Sequence, residues 1–401
     1  MTGAKAAVVG GGIIGTAVAR ELLLGGTASE VTLFEKEAEL SFHQTGHNSG
    51  VVHAGLYYEP GGLKATLCRR GVGLLRDLAA RRDVPFEECG KVVVARDAAE
   101  LERLRAIFKR AVANGVPGVR MVDGSELADI EPHAVGVAAL HSPTTAITDY
   151  RAVTAALASE FTEAGGVVRL GSRVQALAET GTGVRVELDA GLEDFDLVIN
   201  CAGLQSDRLA KNSGDAREPR IVPFFGEYFL LRPERSGLVN GLIYPVPDPR
   251  YPFLGVHLTR RVDGAVMVGP NAFLAGGREA YRGLQFSPSD LAEVAGFPGF
   301  WRFAAGNVPA AVREVRTVLS RRAFVGAARA YVPELAVADV VPGHRGIRAQ
   351  AMNADGGLVD DFVITGTRRI LHVRNAPSPG ATSSMAIAEH VVQQVAGRLA
   401  G

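Results

Sequence analysis

The start of the chain alternates between short apolar runs and one longer helical pattern. Residues 5–10 (KAAVVG) form a run that is apolar after Lys5, which is typical of a strand buried on both faces. Residues 13–24 carry apolar side chains on several faces and predict a buried helix, and residues 30–35 are rich in strand-forming side chains. A strand, a helix and a strand within about 30 residues predict a βαβ unit with parallel strands and a right-handed crossover.

Helical and strand-like patterns continue to alternate along the chain. Further helical patterns cover residues 63–80, 101–113, 151–164, 310–329 and 383–399. The most apolar strand-like run after the first one covers residues 195–203. Between residues 221 and 267 proline becomes dense and aromatic strand-like runs alternate with turns, which predicts an antiparallel sheet.

These patterns predict an α/β chain with two domains. We expect a Rossmann-like nucleotide-binding domain assembled from discontinuous segments, and a substrate domain of α+β type with a mostly antiparallel sheet. The nucleotide-binding domain is predicted to comprise residues 1–88, 146–215 and 340–401. Residues 89–145 and 216–339 are predicted to form the substrate domain.

Composition and charge narrow the class of protein. The chain has 401 residues, of which 47% are apolar and 21% charged, as expected of a packed globular protein. Lys+Arg and Asp+Glu both number 43, so the net charge is zero, which disfavours a nucleic-acid partner. Recognition of a charged ligand is therefore expected to depend on a local pocket.

The cysteines and the hydropathy indicate the compartment. Cys68, Cys89 and Cys201 form no CxxC pair, which disfavours a disulfide framework or a zinc site and predicts a reducing compartment. No stretch reaches the ~18 continuous apolar residues of a transmembrane helix. We therefore expect no transmembrane span and a cytoplasmic protein, either free or peripheral at the inner face of the membrane.

A glycine motif follows the first predicted strand. Gly10 permits a tight turn, Gly12 lets the backbone approach a pyrophosphate, and Gly15 allows close packing of helix on strand. The free N–H groups at the start of the helix then bind the phosphate. Glu35 follows at the end of the second strand, where it is expected to bind ribose hydroxyls and to disfavour the 2′-phosphate of NADP. The motif alone leaves NAD and FAD both open.

Several longer segments together resemble one family. They are VVGGGIIG from Val8, HQTGHNSGVVHAGLYYEPGGLKATLC from His43, NCAGLQSDRLA from Asn200, GEYFLL from Gly226, YPVPDPRYPFLGVHLTRRVDG from Tyr244, MVGPNAFLA from Met267, GIRAQ from Gly346, and NAPSPGATSSMAIA from Asn375. Over nearly the whole chain they are similar to the D-amino-acid-oxidase-like FAD oxidoreductase superfamily, and more narrowly to the L-2-hydroxyglutarate oxidase/dehydrogenase family. This resemblance implies an FAD-binding domain and the oxidation of L-2-hydroxyglutarate to 2-oxoglutarate by hydride transfer to flavin N5.

The motif and the resemblance together predict which residues contact FAD. They are Gly10, Gly12, Ile13, Ile14, Gly15, Glu35, Lys36, Thr45, Asn48, Ser49, Val174, Ala202, Gly203, Ser378, Gly380, Ala381 and Thr382. The glycine- and proline-rich loop before the last predicted helix also aims a helix N-terminus at the flavin, where it would stabilise the reduced form. An ordinary helix cap explains the same loop without a cofactor.

Oxidation of a 2-hydroxy acid requires a base for the hydroxyl proton and cationic or neutral donors for carboxylates. His53 is the preferred base and His257 the second candidate, although either histidine also fits a purely structural role. The predicted substrate-binding residues are Tyr58, Lys64, Tyr228, Tyr244 and Arg260, with Tyr57, Arg345 and Arg348 as further candidates. Arginine is suited to this role because its guanidinium binds a carboxylate with two hydrogen bonds.

Two features of the sequence leave alternatives open. Phe225 stands where the family usually has arginine, so either the substrate specificity is altered or that arginine is structural. His43 and His47 are four residues apart, but the residues between them do not look helical, so we expect no metal site. Covalent attachment of the flavin through His43, His47 or Cys68 is the alternative to non-covalent binding.

The expected partners are a small 2-hydroxy dicarboxylic acid and an electron acceptor, which is oxygen, a quinone or an electron-transfer protein. Three other functions compete with this prediction. They are an amino-acid or amine oxidase of the same superfamily, an NAD-dependent dehydrogenase, and a non-catalytic dinucleotide-binding module.

Overall fold

A computed structural model gives the structure for residues 3–251, 253–282 and 285–400. Its strands are β1 (Lys5–Val9), β2 (Glu30–Phe34), β3 (Val51–Val52), β4 (Phe86–Glu87), β5 (Lys91–Ala95), β6 (Arg120–Asp123), β7 (Ala138–Ser142), β8 (Ala146–Thr148), β9 (Val167–Arg169), β10 (Val174–Glu179), β11 (Val184–Leu188), β12 (Gly191–Phe195), β13 (Leu197–Asn200), β14 (Arg220–Leu231), β15 (Leu242–Pro245), β16 (His257–Arg260), β17 (Val266–Gly269), β18 (Phe273–Leu274), β19 (Val340–Met352), β20 (Val363–Gly366) and β21 (Ile370–Asn375). Its helices are α1 (Ile13–Leu24), α2 (Leu63–Arg82), α3 (Ala98–Ala113), α4 (Gly124–Ile130), α5 (Tyr150–Glu163), α6 (Ser206–Asn212), α7 (Pro288–Ala295), α8 (Pro298–Gly306), α9 (Val308–Leu319), α10 (Arg321–Arg329) and α11 (Ser384–Ala400).

The first sheet has six strands in the order β20-β21-β13-β1-β2-β9. All of its pairings are parallel except that of β20 with β21. The predicted βαβ unit is β1, α1 and β2, and β1 and β2 are neighbours in register from Lys5 opposite Glu30. This sheet confirms the Rossmann-like part of the predicted fold.

Strand β1 shows why both faces of this sheet are covered. Ala6 and Val8 belong to the core cluster shared with α1, α2, α5 and α11. Ala7 and Val9 point to the opposite face, where they pack with the antiparallel sheet β10-β11-β12. Because successive side chains alternate between the faces of a strand, a strand covered on both sides is apolar throughout. Full burial of one aliphatic side chain stabilises such a core by about 1.5–3 kcal/mol.

The second large sheet runs in the order β18-β14-β17-β16-β15-β5-β7-β6, with β19 paired to β14. Its pairings are antiparallel except for that of β15 with β5. The predicted antiparallel substrate domain is therefore confirmed as part of the fold. Strands β3, β8 and β4 form a small third sheet. In the chain they fall where it passes from one large sheet to the other.

The division of the chain into domains remains a proposal. Strand β19 concerns the predicted boundary at residue 340, where the second segment of the substrate domain ends. This strand begins at Val340, where the sequence predicted the return to the nucleotide-binding domain. It pairs with β14 from Arg220 opposite Met352 to Leu231 opposite Val340. We therefore propose that the substrate domain extends to the end of β19.

Each predicted helix is present, although the one near residue 320 is broken, and the sequence did not predict α4, α6, α7 and α8. The single helix predicted over residues 310–329 is two helices, α9 and α10. Ser320 separates them because its backbone is extended, and its Oγ accepts a hydrogen bond from Ala323 N at 3.2 Å, which caps α10. No helix among the described residues is long and apolar enough to cross a membrane.

Candidate functional site

A cavity of about 840 Å³ opens beyond the carboxyl ends of β1, β2 and β13. This edge is where ligands bind in open α/β sheets, because the helix N-termini and the loops that follow the strands converge there. The cavity continues past the loop of residues 376–382 to Tyr228 on β14 and Arg348 on β19. It therefore joins the nucleotide-binding sheet to the substrate sheet.

Two glycines give the cavity the shape that a dinucleotide requires. Gly10 has φ +110°, and a Cβ there would lie 2.5 Å from the carbonyl oxygen of Cys201. A Cβ on Gly15 would lie 1.9 Å from the carbonyl oxygen of Gly10. Only glycine permits this turn and this packing of α1 on β1, and α1 begins without a side-chain cap. The residues therefore fit a pyrophosphate at the helix N-terminus.

Glu35 is held rigidly at the edge of the cavity. Its Oε2 accepts a hydrogen bond from Gly11 N at 2.6 Å, and its Oε1 accepts one from Glu37 N at 2.9 Å. The side chain is 8% exposed and still lines the cavity. A carboxylate in this position has further lone pairs directed at the ligand, as the binding of a ribose diol requires.

Every residue predicted to contact FAD lines this cavity. They are Gly10, Gly12, Ile13, Ile14, Gly15, Glu35, Lys36, Thr45, Asn48, Ser49, Val174, Ala202, Gly203, Ser378, Gly380, Ala381 and Thr382. Thr45 supports the glycine turn, since its Oγ1 accepts a hydrogen bond from Ile13 N at 3.0 Å. Asn48 in turn donates to the carbonyl oxygen of Thr45 at 2.6 Å.

The loop of residues 376–382 is fixed against the segment that carries His53. His53 N donates to Thr382 Oγ1 at 3.1 Å. The buried Tyr150 hydroxyl lies 2.9 Å from the same Oγ1 and donates to the carbonyl oxygen of Val51 at 2.9 Å. Residues far apart in the chain thus hold the backbone of both segments at one wall of the cavity.

His53 lines the cavity with its ring close to this loop. Its Nε2 lies 3.4 Å from Ser378 Oγ. Burial and the nearby cations, of which Lys91 has the largest effect, lower the pKa of His53 to about 3. The ring is therefore neutral at physiological pH and has a free nitrogen lone pair.

His257 lies deeper, on β16, and does not line the cavity. Its Nδ1 donates to the carbonyl oxygen of Gly255 at 2.9 Å, which leaves Nε2 as the acceptor. Burial, with smaller contributions from Lys91 and Arg348, lowers the pKa of His257 to about 3. Its ring lies against Tyr244, with the two centroids 4.0 Å apart. His257 and Tyr244 therefore form a second layer behind the cavity wall.

Lys91 belongs to the same layer and was not predicted from the sequence. It opens β5, is 2% exposed, and places its Nζ 3.6 Å from the centroid of the Tyr244 ring. Burial lowers the pKa of Lys91 to about 7. The only signal in the sequence is a lysine that begins the otherwise apolar run KVVVA, which is also the pattern of an ordinary strand end.

The cations considered for substrate binding differ in whether a carboxylate neutralises them. Three ion pairs are present: Lys64 with Asp360 at 2.8 Å, Arg260 with Glu87 at 3.1 Å, and Arg345 with Glu227 at 3.0 Å. Arg260 also donates to the carbonyl oxygen of Asn240 and does not line the cavity. The structure therefore does not bring Arg260 to the site, and we do not retain it as a substrate-binding residue.

Arg348 is the exception among these cations. It lines the cavity, and within the described ranges no carboxylate lies within ion-pair distance of its guanidinium. Its Cζ lies 5.4 Å from the centroid of the Phe253 ring. An uncompensated guanidinium in a cavity is suited to bind an anionic ligand.

The predicted tyrosines are divided between the cavity and its surroundings. Tyr228 lines the cavity and is 8% exposed. Tyr58 lies beside it, with the Lys64 ammonium 5.2 Å from its ring centroid. Burial raises the pKa of the Tyr58 hydroxyl well above its ordinary value, so this group remains a neutral donor.

Phe225 lies outside the cavity. It packs in a cluster that includes Leu204 and Ile347, and the Arg345 guanidinium lies 5.1 Å from its ring centroid. Phe225 therefore belongs to an apolar cluster and not to the cavity wall.

His43 and His47 have different surroundings. His43 lies with Glu37 and Glu279 in a group whose ligand atoms are within 4.8 Å of each other, which is the geometry of a metal site. However, Lys36 Nζ lies 2.9 Å from His43 Nε2 and 3.1 Å from Glu279 Oε2, so an ammonium group already stands there. The His47 ring stacks on a tyrosine.

Cys68 is fully buried on α2 and donates to the carbonyl oxygen of His53 at 3.1 Å. Burial raises its pKa to about 12, so the thiol stays protonated. It does not line the cavity, unlike His43 and His47. Of the three groups considered for covalent attachment of the flavin, the two histidines are therefore the only ones in contact with the cavity.

Residues 5–394 match the protein family described as FAD dependent oxidoreductase. The mitochondrial L-2-hydroxyglutarate dehydrogenase of Caenorhabditis elegans is 44% identical over 401 residues, which cover 98% of this chain and 93% of that protein. The L-2-hydroxyglutarate dehydrogenase of Escherichia coli is 42% identical over 389 residues, which cover 97% of this chain and 92% of that protein.

Solved structures share the fold at lower identity. The dithionite-reduced L-alpha-glycerophosphate oxidase of Mycoplasma pneumoniae with FAD bound superimposes with a TM-score of 0.77 at 21% identity. The match covers 98% of this chain and 95% of that one. Likeness at this level of identity concerns the arrangement of helices and strands.

Proposed function

The chain belongs to the FAD-dependent oxidoreductase family, and we propose that it oxidises L-2-hydroxyglutarate to 2-oxoglutarate. FAD is its cofactor. One observation carries the proposal: a single cavity joins the dinucleotide cradle to a neutral histidine, His53, and to an uncompensated cation, Arg348. These are the groups that oxidation of a 2-hydroxy acid requires beside a hydride acceptor.

The bound flavin supplies the two-electron acceptor, to which the hydrogen on the substrate's C2 passes as hydride. The protein supplies what the flavin lacks. It must hold C2 in place, accept the hydroxyl proton and exclude water. The product is the 2-oxo acid. The electron pair leaves with the hydride to the flavin, and the hydroxyl proton goes to a base of the protein.

We propose that His53 Nε2 accepts the hydroxyl proton. Burial disfavours the imidazolium form of His53, and the positive charges of Lys91 and Lys64 disfavour it further. A dianionic substrate offsets these positive charges and therefore raises the pKa of His53. The base thus becomes stronger only when the substrate is bound.

Arg348 is proposed to bind the carboxylate attached to C2, through its two parallel N–H donors. Tyr228 lines the same part of the cavity, and burial keeps its hydroxyl protonated by raising its pKa. It is proposed to donate a hydrogen bond to the substrate. Asp360, which pairs with Lys64, lines the cavity, whereas Tyr58 and Lys64 do not.

The electron acceptor and the compartment remain predictions. We propose that oxygen, a quinone or an electron-transfer protein reoxidises the flavin, and that the protein is cytoplasmic or peripheral at the inner face of the membrane. Anaerobically reduced protein mixed with oxygen or a water-soluble quinone analogue would separate the acceptors by their rates of reoxidation.

The proposed function is tested by anaerobic reduction of the FAD-loaded protein. L-2-hydroxyglutarate is expected to bleach the visible absorption of the flavin, whereas its D-enantiomer and L-glutamate are not. Bleaching by amino acids alone would instead support the amine-oxidase function, and no bleaching by any 2-hydroxy acid would contradict the proposal.

The role of His53 is tested with His53→Gln. We expect the rate of flavin reduction to fall by roughly 100- to 10,000-fold, as for loss of a general base, with FAD still bound. The matched control is His141→Gln, which removes a half-buried histidine outside the cavity. An unchanged rate in His53→Gln would show that another group takes the proton.

A further inference from the structure

Lys91 is a buried cation that the proposed reaction has not used so far. Among the described residues, no carboxylate lies within ion-pair distance of its Nζ, and its polar contacts are with aromatic rings. The Nζ lies 3.6 Å from the ring centroid of Tyr244 and 4.9 Å from that of Tyr57. Aromatic faces attract a cation but do not neutralise its charge.

The hydroxyl group of one of these two tyrosines is also unpaired. Tyr57 OH is buried and has no hydrogen-bond partner among the described residues. A buried donor without an acceptor is rare in proteins, because it loses its bond to water and gains nothing in return. An ammonium and a phenol, both buried and both lacking an acceptor, point to an anion that would complete them.

The position of Lys91 relative to Arg348 indicates which anion this is. The Tyr244 ring that Lys91 contacts lies 4.0 Å from the His257 ring, and Tyr57 is four residues from His53, which lines the cavity. Arg348 lines the cofactor cavity, whereas Lys91 stands behind it on β5 in the middle of the substrate sheet. A dicarboxylate whose reacting carbon lies at the cofactor has one carboxylate near Arg348 and the other farther into the substrate sheet.

We propose that Lys91, together with the Tyr57 hydroxyl, binds the substrate carboxylate that is remote from the reacting carbon. This inference rests on the proposed function. It makes Lys91 the residue that distinguishes a 2-hydroxy dicarboxylate from a 2-hydroxy monocarboxylate. Arg348 would bind both kinds of substrate, since both have the carboxylate next to the hydroxyl.

The experiment compares two substrates on the FAD-loaded enzyme. One is L-2-hydroxyglutarate, and the other is L-2-hydroxyglutaramate, in which an amide of nearly the same shape replaces the remote carboxylate. In Lys91→Met, kcat/KM for the dicarboxylate is expected to fall about 10- to 100-fold, as for loss of a charge-assisted hydrogen bond. For the amide we expect a change within about 3-fold, as the lost interaction needs a charged acceptor.

Two controls separate charge recognition from damage to the fold. Lys109→Met removes an exposed lysine on α3 and is expected to leave both values as in the wild type. Tyr57→Phe removes only the unpaired hydroxyl and is expected to lower kcat/KM for the dicarboxylate by about 3- to 10-fold, again with the amide spared. This second variant tests the inference even if Lys91→Met fails to bind FAD.

A binding measurement separates failure of this inference from failure of the proposed function. The oxidised enzyme is titrated with glutarate and with butyrate while the visible absorption of FAD is followed. The wild type is expected to prefer glutarate, and Lys91→Met to lose this preference, whether or not L-2-hydroxyglutarate is the true substrate. Equal losses for dicarboxylate and amide, or a glutarate preference that survives in both variants, would overturn the inference.

Discussion

The cationic side chains considered for substrate binding differ in whether a carboxylate neutralises them. Lys64, Arg260 and Arg345 each have an acidic partner, and their charge is therefore largely offset before any ligand arrives. Arg348 and Lys91 have none within the described part of the chain. A dianionic ligand is attracted to the uncompensated cations. The ion-pair partners of the arginines therefore indicate which of them can bind a ligand, and the number of arginines does not.

At the scale of the residue, we predict that Arg348→Met raises KM for L-2-hydroxyglutarate by about 10- to 100-fold, because a bidentate hydrogen bond to a charged group is lost. Steady-state kinetics of the FAD-loaded variant measures this change. Arg260→Met serves as the comparison, since Arg260 is paired with Glu87 outside the cavity. A larger effect at Arg260 than at Arg348 would contradict the assignment.

At the scale of the element, α1 is the structural basis of the cofactor cradle. It begins directly after the turn at Gly10 and packs on β1 without the space that a side chain would need at Gly15. Its N-terminal N–H groups can point at a phosphate only while this packing holds. The affinity for FAD is therefore expected to depend on the packing of α1 on β1.

The prediction for this element is that Gly15→Ala weakens FAD binding by at least about 10-fold, because the added methyl group collides with the Gly10 carbonyl and displaces the helix. Titration of the FAD-free protein with FAD gives the dissociation constant. Gly73→Ala is the matched control, since it adds a methyl group to another helical glycine with no atom within 4 Å. Equal affinities in both variants would refute the argument.

At the scale of the whole molecule, several histidines are buried in the neutral form. His372 on β21 is 1% exposed, and its Nδ1 and Nε2 lie 3.0 Å from Asn200 Nδ2 and Ser213 Oγ respectively. The amide of Asn200 donates to Nδ1, so protonation there would place two hydrogens face to face. Burial accordingly lowers the pKa of His372 from 6.5 to about 4.

This shift predicts how stability depends on pH. Between pH 6.5 and 4 the unfolded chain binds a proton at this position and the folded chain does not, so the free energy of unfolding falls as the pH falls. One such histidine contributes about 1.4 kcal/mol per pH unit in that range. Urea unfolding at several pH values and a fixed FAD concentration measures the slope, which His372→Gln should reduce.

The same substitution at His390 provides the comparison, because that histidine is only half-buried on α11. We expect its slope to match the wild type between pH 6.5 and 4. If His372→Gln and His390→Gln both retain the full slope, then the acid sensitivity of the fold arises from other groups.

Much of the fold and of the cofactor cradle could be predicted because the signals are local. The strand, the GxGxxG turn and α1 lie within consecutive residues, and Gly10 and Gly15 are required by contacts inside that segment. The division of the strands between a mainly parallel and a mainly antiparallel sheet also follows from short-range patterns. The break between α9 and α10 was missed because Ser320 is compatible with both a helix interior and a cap.

The sequence by itself determined the class of fold and predicted the residues that line the proposed dinucleotide cavity. The tertiary structure alone decided which cations face a ligand. Arg260 pairs with Glu87 and Lys64 with Asp360, although the partners are far apart in the chain, whereas Arg348 on β19 and Lys91 on β5 have no acidic partner among the described residues. The physical reason is that hydrophobic periodicity is encoded residue by residue, whereas the charge available at a site depends on every group that folding brings near it.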